Sequence, residues 1–186
     1  MTFNFSRKYQ FNTKLNVMNT NIDMVNETTL LGTVITDQLC WDRNTEELCK
    51  KGYKRMQLLN AVASFTRNTN DLKDIYITFV RSVLEQSAVV WHSSLTMKNR
   101  LDLERIQKAA VRVIMGKSYT TYNMGLKELK LEKLEKRREM LCLRFAKNCL
   151  KNDKMKKMFP TRKTKHKMIK RYQRKYQTRK INTKRL

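Results

Sequence analysis

The chain has 186 residues, a length that suits one ordinary domain or a small domain with a tail. It carries 41 Lys and Arg residues against 16 Asp and Glu residues, which gives a formal net charge of +25. This excess argues against a typical cytosolic enzyme and indicates a polyanionic partner. Nucleic acid is the commonest such partner, an anionic membrane surface is another, and a merely solvated basic surface is the remaining interpretation.

No apolar run reaches the roughly 18 residues that a membrane span needs, and no apolar segment follows the basic residues near the N-terminus. We therefore expect no membrane partner and no signal peptide. The spacings of the four cysteines, Cys40, Cys49, Cys142 and Cys149, match no zinc motif. We expect them to be buried, reduced thiols of an intracellular protein.

The first 43 residues predict a small β element. Apolar residues alternate with polar ones, asparagines recur, and TTLLGTVIT at 28–36 is rich in β-branched residues. This period-two pattern is typical of short strands joined in hairpins.

Residues 44–150 predict a bundle of about four helices, because glycine is scarce and the chain has one proline. In the first helix, apolar or small residues recur at steps of three and four: Leu48, Gly52, Met56 and Leu59. We expect Asn44 or Thr45 to cap its start.

A second helix is predicted from Leu72 to Trp91, unbroken over five turns, with Asn70 or Asp71 as its cap. Its second half includes most of LEQSAVVWHSSLT, residues 84–96, a stretch with one acidic residue and no basic one. We expect this stretch to be a buried helix end. The Trp91 ring would lie in the core, with its indole N–H hydrogen-bonded.

Two further helical segments and a tail complete the chain. Residues 99–115 predict a third helix that ends at Gly116, and residues 123–150 predict a fourth with a break near Lys130–Leu131. Residues 151–186 hold 16 Lys and Arg and one acidic residue. We expect them to form a disordered basic tail, because so charged a segment buries too little apolar area to offset its ordering entropy.

The chain lacks the motifs of the common enzyme classes. It has no G-x-x-x-x-G-K, G-x-S-x-G or H-E-x-x-H sequence, and its two histidines, His92 and His166, are far apart in the chain. Acidic residues before position 150 mostly neighbour basic ones, as in LEKLEKRRE, which is typical of solvated helix faces. We therefore expect no catalytic group, metal or cofactor in this chain.

Four blocks of sequence nevertheless stand out. TLLGTVITDQLCWDRNTEELCKKGYKRMQLL contains Leu31, Gly32, Asp37 and Trp41. IYITFVRSVLEQSAVVWHSSL contains Leu84, Glu85 and Trp91. DLERIQKAAVRVIMG contains Leu103, Glu104, Gln107, Arg112 and Gly116, and LEKLEKRREMLCLRFAKNCL contains Arg137 and Arg138. In this order, over residues 25–150, the blocks resemble the C-terminal part of non-LTR retrotransposon reverse transcriptases of the LINE or jockey type.

The resemblance implies a position within a polymerase. Residues 1–43 would correspond to the end of the palm with its primer grip, and residues 44–150 to the thumb and a helical extension. The family's catalytic Asp pair, which works with Mg²⁺, lies upstream of this part, and no adjacent Asp pair occurs in this chain. The chain is thus expected to be a non-catalytic C-terminal fragment of an RNA-directed DNA polymerase.

The expected partner is RNA or DNA, bound through its template–primer backbone without reading of the base sequence. The resemblance and the position of basic residues off the apolar stripes select six candidate contacts: Lys50, Lys51, Lys54, Arg55, Lys108 and Arg112. We expect an intracellular location, in the nucleus or in a cytoplasmic ribonucleoprotein. Two alternatives stay open: a decayed mobile-element product without molecular function, and a helical protein-interaction module with a basic nuclear-import tail.

Overall fold

The computed structural model describes residues 15–18, 20–22 and 25–157. The patterns noted before residue 15 and most of the basic tail, residues 158–186, lie outside the described residues. Within the described part the protein is mainly helical and begins with a small antiparallel β element, which confirms the expected fold class.

Two short hairpins precede the helices. Strand β1 (Leu15–Val17) pairs with β2 (Thr20–Ile22), and β3 (Glu27–Leu30) pairs with β4 (Thr33–Thr36). The second hairpin turns at Gly32, whose φ of +78° lies in the left-handed region that glycine adopts readily. The expected hairpins of the TTLLGTVIT stretch are therefore confirmed.

Eight α-helical segments follow within the described residues. They are α1 (Asp42–Phe65), α2 (Thr69–Ile75), α3 (Ser82–Leu84), α4 (Ala88–Trp91), α5 (Met97–Met115), α6 (Tyr122–Glu128), α7 (Leu134–Lys151) and α8 (Asp153–Lys156). A π-helical turn, Tyr76–Arg81, joins α2 to α3. Short 3₁₀ turns, His92–Ser94 and Gly116–Ser118, follow α4 and α5.

Helices α1 and α5 pack side by side and run in the same direction. At their first turns, Asn99 Nδ2 donates to Asp42 Oδ1 at 2.6 Å. At mid-length, a Cβ on Gly52 would lie 3.0 Å from both Ile106 Cδ1 and Leu84 Cδ2. Glycine at position 52 therefore lets α1 approach α5 and α3 closely. The core between these helices contains apolar residues such as fully buried Leu59.

The expectation of one unbroken helix from Leu72 to Trp91 is wrong. The helix passes through the π-helical turn and ends at Leu84, and α4 begins only after Ser87, whose φ is +53°. Trp91 is nevertheless fully buried, and its Nε1 donates to the Gln86 carbonyl at 2.9 Å. The break removes that carbonyl from the helical hydrogen-bond ladder, and the indole satisfies it.

Two expected helix starts are wrong. Helix α1 begins at Asp42, so Asn44 and Thr45 lie buried in its first turn, where Asn44 Oδ1 accepts from Val34 N at 3.1 Å. Asn44 therefore ties β4 to α1 instead of capping the helix. Asn68, not Asn70 or Asp71, caps α2, because its side chain accepts from Asn70 N.

The later boundaries agree better with the sequence. Gly116 ends α5 with φ +52°, and residues between α6 and α7 form the expected break, with Lys130 at φ +52°. The expectation of a disordered tail from residue 151 is wrong for its first residues, since α7 continues to Lys151 and Asn152 caps α8 by accepting from Lys154 N. Phe145, part of the apolar pattern of α7, is 46% exposed.

None of the four cysteines forms a disulfide, but only Cys149 is buried, so the expectation of burial is correct for that residue alone. Partial burial raises the pKa of Cys49 to about 11 and also raises the pKa of Cys142. Both thiols are therefore protonated near neutral pH and poorly nucleophilic.

Candidate nucleic-acid interface

Four of the six candidate contacts lie on α1. Leu48, Met56 and Leu59 turn one side of the helix into the core. The helical repeat of 3.6 residues places Lys50 and Lys54 on the solvent side, whereas Arg55, seven residues after Leu48, lies at the edge of the apolar side. We call this surface the α1 basic face: Lys50, Lys51, Lys54 and Arg55, all exposed.

The charges of the α1 basic face are only partly neutralised by acids. Lys50 Nζ lies 2.8 Å from Glu47 Oε1, and this hydrogen bond holds the pKa of Glu47 below its ordinary value. Lys51 lines a groove that also contains Glu47 and Glu27. Within the described residues, Lys54 makes no salt bridge. Because the one ion pair here is exposed, it is weak and can exchange for a phosphate.

Arg55 is held in place by the backbone rather than by an acid. Its Nη1 donates to the Phe79 carbonyl at 2.7 Å, at the π-helical turn. A π-helical turn leaves carbonyls displaced from the regular ladder, and this one is used to orient a cation. The Phe79 ring itself is 50% exposed, and Leu58 on α1 is 47% exposed. The surface thus combines fixed positive charge with an aromatic ring on which a base can stack.

The other two candidates, Lys108 and Arg112, lie on α5 and are both exposed. Ile106 is the α5 residue that meets Gly52 of α1, and Lys108 follows it by two positions, or roughly 200° of helix rotation. Lys108 therefore faces away from α1. Arg112 stacks over the Tyr119 ring, with its guanidinium carbon 5.4 Å from the ring centroid. The six candidates accordingly form two separate groups, not one surface.

A buried charged cluster, which the sequence did not predict, lies against α4. Arg138 of α7 is fully buried, with its guanidinium carbon 5.8 Å from the centroid of the Trp91 ring. Its Nε donates to His92 Nδ1 at 3.4 Å, and Nη1 and Nη2 have no partner among the described protein atoms. Burial lowers the pKa of Arg138, and burial beside Arg138 lowers the pKa of His92.

The neighbouring residue, Arg137, clamps the helix break. Its Nε donates to Glu85 Oε1 at the end of α3, and Arg81 Nε lies 3.9 Å from the same oxygen. The Glu85 and Arg81 side chains are 12% and 13% exposed and are shielded from solvent, whereas the Arg137 side chain is 36% exposed and only partly shielded. Helix α7 is thereby fixed to the point where the α3 helix ends.

A second buried network runs through Gln107, which is fully buried on α5. Tyr76 Oη donates to Gln107 Oε1 at 2.6 Å, and Gln107 Nε2 donates to Tyr122 Oη at 2.8 Å and to the Glu132 carbonyl at 2.9 Å. Tyr122 Oη in turn donates to Glu104 Oε1. Burial, and for Tyr122 the bond to Glu104, raises the pKa of both tyrosines, so they remain neutral donors.

Several residues that carry the family resemblance therefore have structural roles here. Glu85, Glu104, Gln107, Arg137 and Arg138 join α3, α5, α6, α7, the π-helical turn and the His92–Ser94 turn through buried or half-buried polar contacts. One signal in the sequence could have located part of the network. Gln107 interrupts the apolar side of α5, and a polar residue in that position needs buried partners.

Over the described part of the chain, no group of three or more His, Cys, Asp or Glu residues is arranged to hold a metal ion. None of the described helices has the length and apolarity required to cross a membrane. No protein-family model, curated protein or solved structure matches the chain.

Proposed function

We propose that this chain is a nucleic-acid-binding, non-catalytic fragment of a non-LTR retrotransposon RNA-directed DNA polymerase. The observation that carries the binding proposal is the α1 basic face, a set of exposed cations on a rigid helix with Phe79 beside it. The net charge of +25 supplies a long-range attraction toward polyanions.

In the proposed mode, Lys50, Lys51, Lys54 and Arg55 contact successive phosphates of RNA or DNA. Lysine and arginine contacts to phosphates fix the position of a duplex but carry no base information. Binding is therefore independent of sequence and falls with salt as counterions are released. Residues 158–186, which contain no acidic residue, add a polycationic segment that strengthens attachment.

The polymerase assignment is supported by the order of the four sequence blocks. In the structure, Glu85, Gln107 and Arg138 of these blocks hold the helical bundle together. The parent activity needs a carboxylate pair that binds two metal ions, and this sequence has no adjacent Asp pair. We accordingly expect the purified chain to lack polymerase activity; template-directed nucleotide incorporation that EDTA abolishes would contradict this.

One observation favours a second candidate, a protein-interaction module with a basic nuclear-import tail. Met140 and Leu143, three residues apart on α7, are 51% and 50% exposed. Exposed apolar residues at helical spacing are one way in which a bundle recognises a protein partner. Either candidate suits a nuclear location, which we propose on the strength of the basic C-terminal residues. In the remaining alternative, a decayed element, binding is incidental.

The deciding experiment compares two quadruple variants of equal charge in anisotropy titrations with labelled, mixed-sequence RNA and DNA. The test variant changes Lys50, Lys51, Lys54 and Arg55 to Ala. The control variant changes four exposed basic residues elsewhere to Ala: Lys127, Lys133, Arg144 and Lys147. Melting curves establish that both variants fold.

We expect the α1 variant to bind several-fold more weakly than the control and to show a smaller salt dependence. Deletion of residues 158–186 should remove most of the remaining dependence of affinity on salt concentration. Equal binding by both quadruple variants would reduce the interaction to net charge alone. Retained binding to a protein partner, without measurable nucleic-acid binding, would favour the interaction module.

A further inference from the structure

A recess at the far end of the bundle has the composition of an anion site. It lies where the loop between α1 and α2 meets the C-terminal end of α5, and it encloses about 250 Å³. Its floor is apolar and includes buried Leu72, Ile114 and Met115. None of the six sequence-derived candidates lines it.

The polar residues around this recess are all cations or hydroxyls. We call it the α2–α5 recess, after the residues at its rim: Thr66, Arg67, Thr69, Lys117 and Ser118. None of the described lining residues is acidic. Neither Arg67 nor Lys117 makes a salt bridge within the described part of the chain. Two cations without a salt bridge and three hydroxyl groups thus line one concave surface, which is the chemistry that holds a phosphate.

The backbone on both sides of the recess is fixed. Thr66 Oγ1 accepts from Asn68 N at 3.2 Å, and Asn68 Oδ1 accepts from Asn70 N at 3.0 Å, so Arg67 lies between two hydrogen-bonded residues. Thr66 can still donate its hydroxyl hydrogen, because the bond from Asn68 N uses only a lone pair of its oxygen. On the other side, Gly116 turns the chain with φ +52° and directs Lys117 and Ser118 to the rim.

The size and the local field limit the ligand. A volume of about 250 Å³ is below the roughly 300–1,000 Å³ of typical small-molecule pockets, so it suits a small group such as a phosphate rather than a whole nucleotide cofactor. The carbonyl end of α5 opposes an anion, but Arg112 in the last turn offsets that end of the helix dipole. Arg67 and Lys117 then leave the recess positive.

We infer that the α2–α5 recess binds one backbone phosphate of the nucleic acid, at a position separate from the α1 basic face. This inference rests on the proposed function, since it assigns a second contact for the same ligand. A phosphate held here anchors the strand at the end of α1, while the α1 basic face contacts the strand nearer the middle of that helix.

The test uses the full chain and a short, labelled, mixed-sequence duplex, titrated at several salt concentrations. The double variant Arg67→Gln/Lys117→Gln is compared with Arg144→Gln/Lys147→Gln, which removes the same charge from exposed positions on α7. We expect the recess variant to bind several-fold more weakly than the α7 variant. Its salt slope should fall by about 1, the amount for one lost phosphate contact.

A charge-neutral variant, Thr69→Val/Ser118→Ala, separates a built site from a diffuse positive field. We expect it to weaken binding while leaving the salt slope nearly unchanged, because it removes hydroxyl donors but no cation. Two outcomes overturn the recess inference: wild-type affinity in this variant, or equal losses of affinity in the two charge variants. In both cases, nucleic-acid binding by the wild-type chain still upholds the proposed function. Absence of binding by the wild-type chain overturns both.

Discussion

The two groups of charged residues in this protein differ in what surrounds them. Glu85, Arg81, Arg137 and Arg138 lie between helices, and their partners are protein groups. The α1 basic face lies on one helix, and much of its charge has no protein partner. Buried charge of the first kind fixes how helices meet, whereas exposed charge of the second kind is available to a ligand. Composition alone does not separate them, since basic residues occur in both groups.

Removal of the Trp91 ring, which contacts Arg138, should have the greatest effect on stability. Trp91→Ala should lower the free energy of unfolding by about 3–5 kcal/mol, because a fully buried aromatic ring is lost and its cavity stays beside a buried guanidinium. Denaturant melts measure the change. Val90→Ala on the same helix is the control, since Val90 is 54% exposed and should cost less than about 0.5 kcal/mol. An equal loss in the free energy of unfolding for the two variants would mean that Trp91 does not support the core.

The sequence predicted the helical bundle because apolar residues recur at helical spacing, and it predicted the burial of Trp91 for the same reason. It could not reveal the break at Glu85–Ser87, since LEQSAVVW fits a helix residue by residue and the turn is stabilised by distant groups. Arg137 pairs with Glu85 from 52 residues away. Long-range contacts of this kind override local propensity and are invisible in one sequence.

The candidate site was predicted only in part, and for the same reason. Lys50, Lys51 and Lys54 follow from the α1 periodicity alone, and the structure places them in solvent. The π-helical carbonyl that orients Arg55 depends on tertiary packing, as does the recess that brings Arg67 toward Lys117 from 50 positions along the chain. Periodicity gives the side of a helix on which a residue lies, but not which helix lies next to it.

A second prediction concerns the clamp at the helix break. Glu85→Ala should lower the free energy of unfolding by about 1.5–3 kcal/mol, because it removes charge-assisted contacts to Arg137 and Arg81 and leaves two cations close together. Glu135→Ala is the matched control: its contact with Arg100 is 2.7 Å long, but Glu135 is 48% exposed, so the loss should stay within about 1 kcal/mol. Equal losses would contradict the distinction between shielded and exposed pairs.

A smaller effect should appear in the pH dependence of stability. Burial, with Arg138 and Arg100 nearby and only partly offset by Glu135 and Glu139, lowers the pKa of His92 below its usual value of about 6.5. Below about pH 6.5 the unfolded chain then binds more protons than the folded chain, so stability falls as pH decreases toward the lowered pKa. Above about pH 6.5, the contribution of His92 to stability is constant.

Denaturant melts between about pH 5 and pH 8 should show this loss in the wild type and a weaker loss in His92→Gln. The glutamine keeps an acceptor for Arg138 but cannot be protonated in this range. The second histidine, His166, is unchanged in both proteins and cancels in the comparison. Parallel curves of stability against pH for the two proteins would show that His92 titrates as an exposed histidine does. That outcome would contradict its burial.

The smallest expected effect tests the polymerase proposal rather than binding itself. A chain ending at Lys157, without the polycationic C-terminal residues, should bind a primer–template junction a few-fold more tightly than a blunt duplex of the same length. The truncation removes sequence-independent attraction that would mask the difference. The α1 basic face would then contact the duplex, and exposed Phe79 would be free to stack on an unpaired template base, a contact that a blunt duplex does not offer.

Phe79→Ala should abolish the preference for the junction and leave duplex binding nearly unchanged. The control is Phe65→Ala, at a ring that is 91% exposed near the end of α1, which should leave the preference intact. Equal affinity of the truncated wild type for both ligands would remove the functional support for a thumb-like role and leave a sequence-independent nucleic-acid-binding bundle.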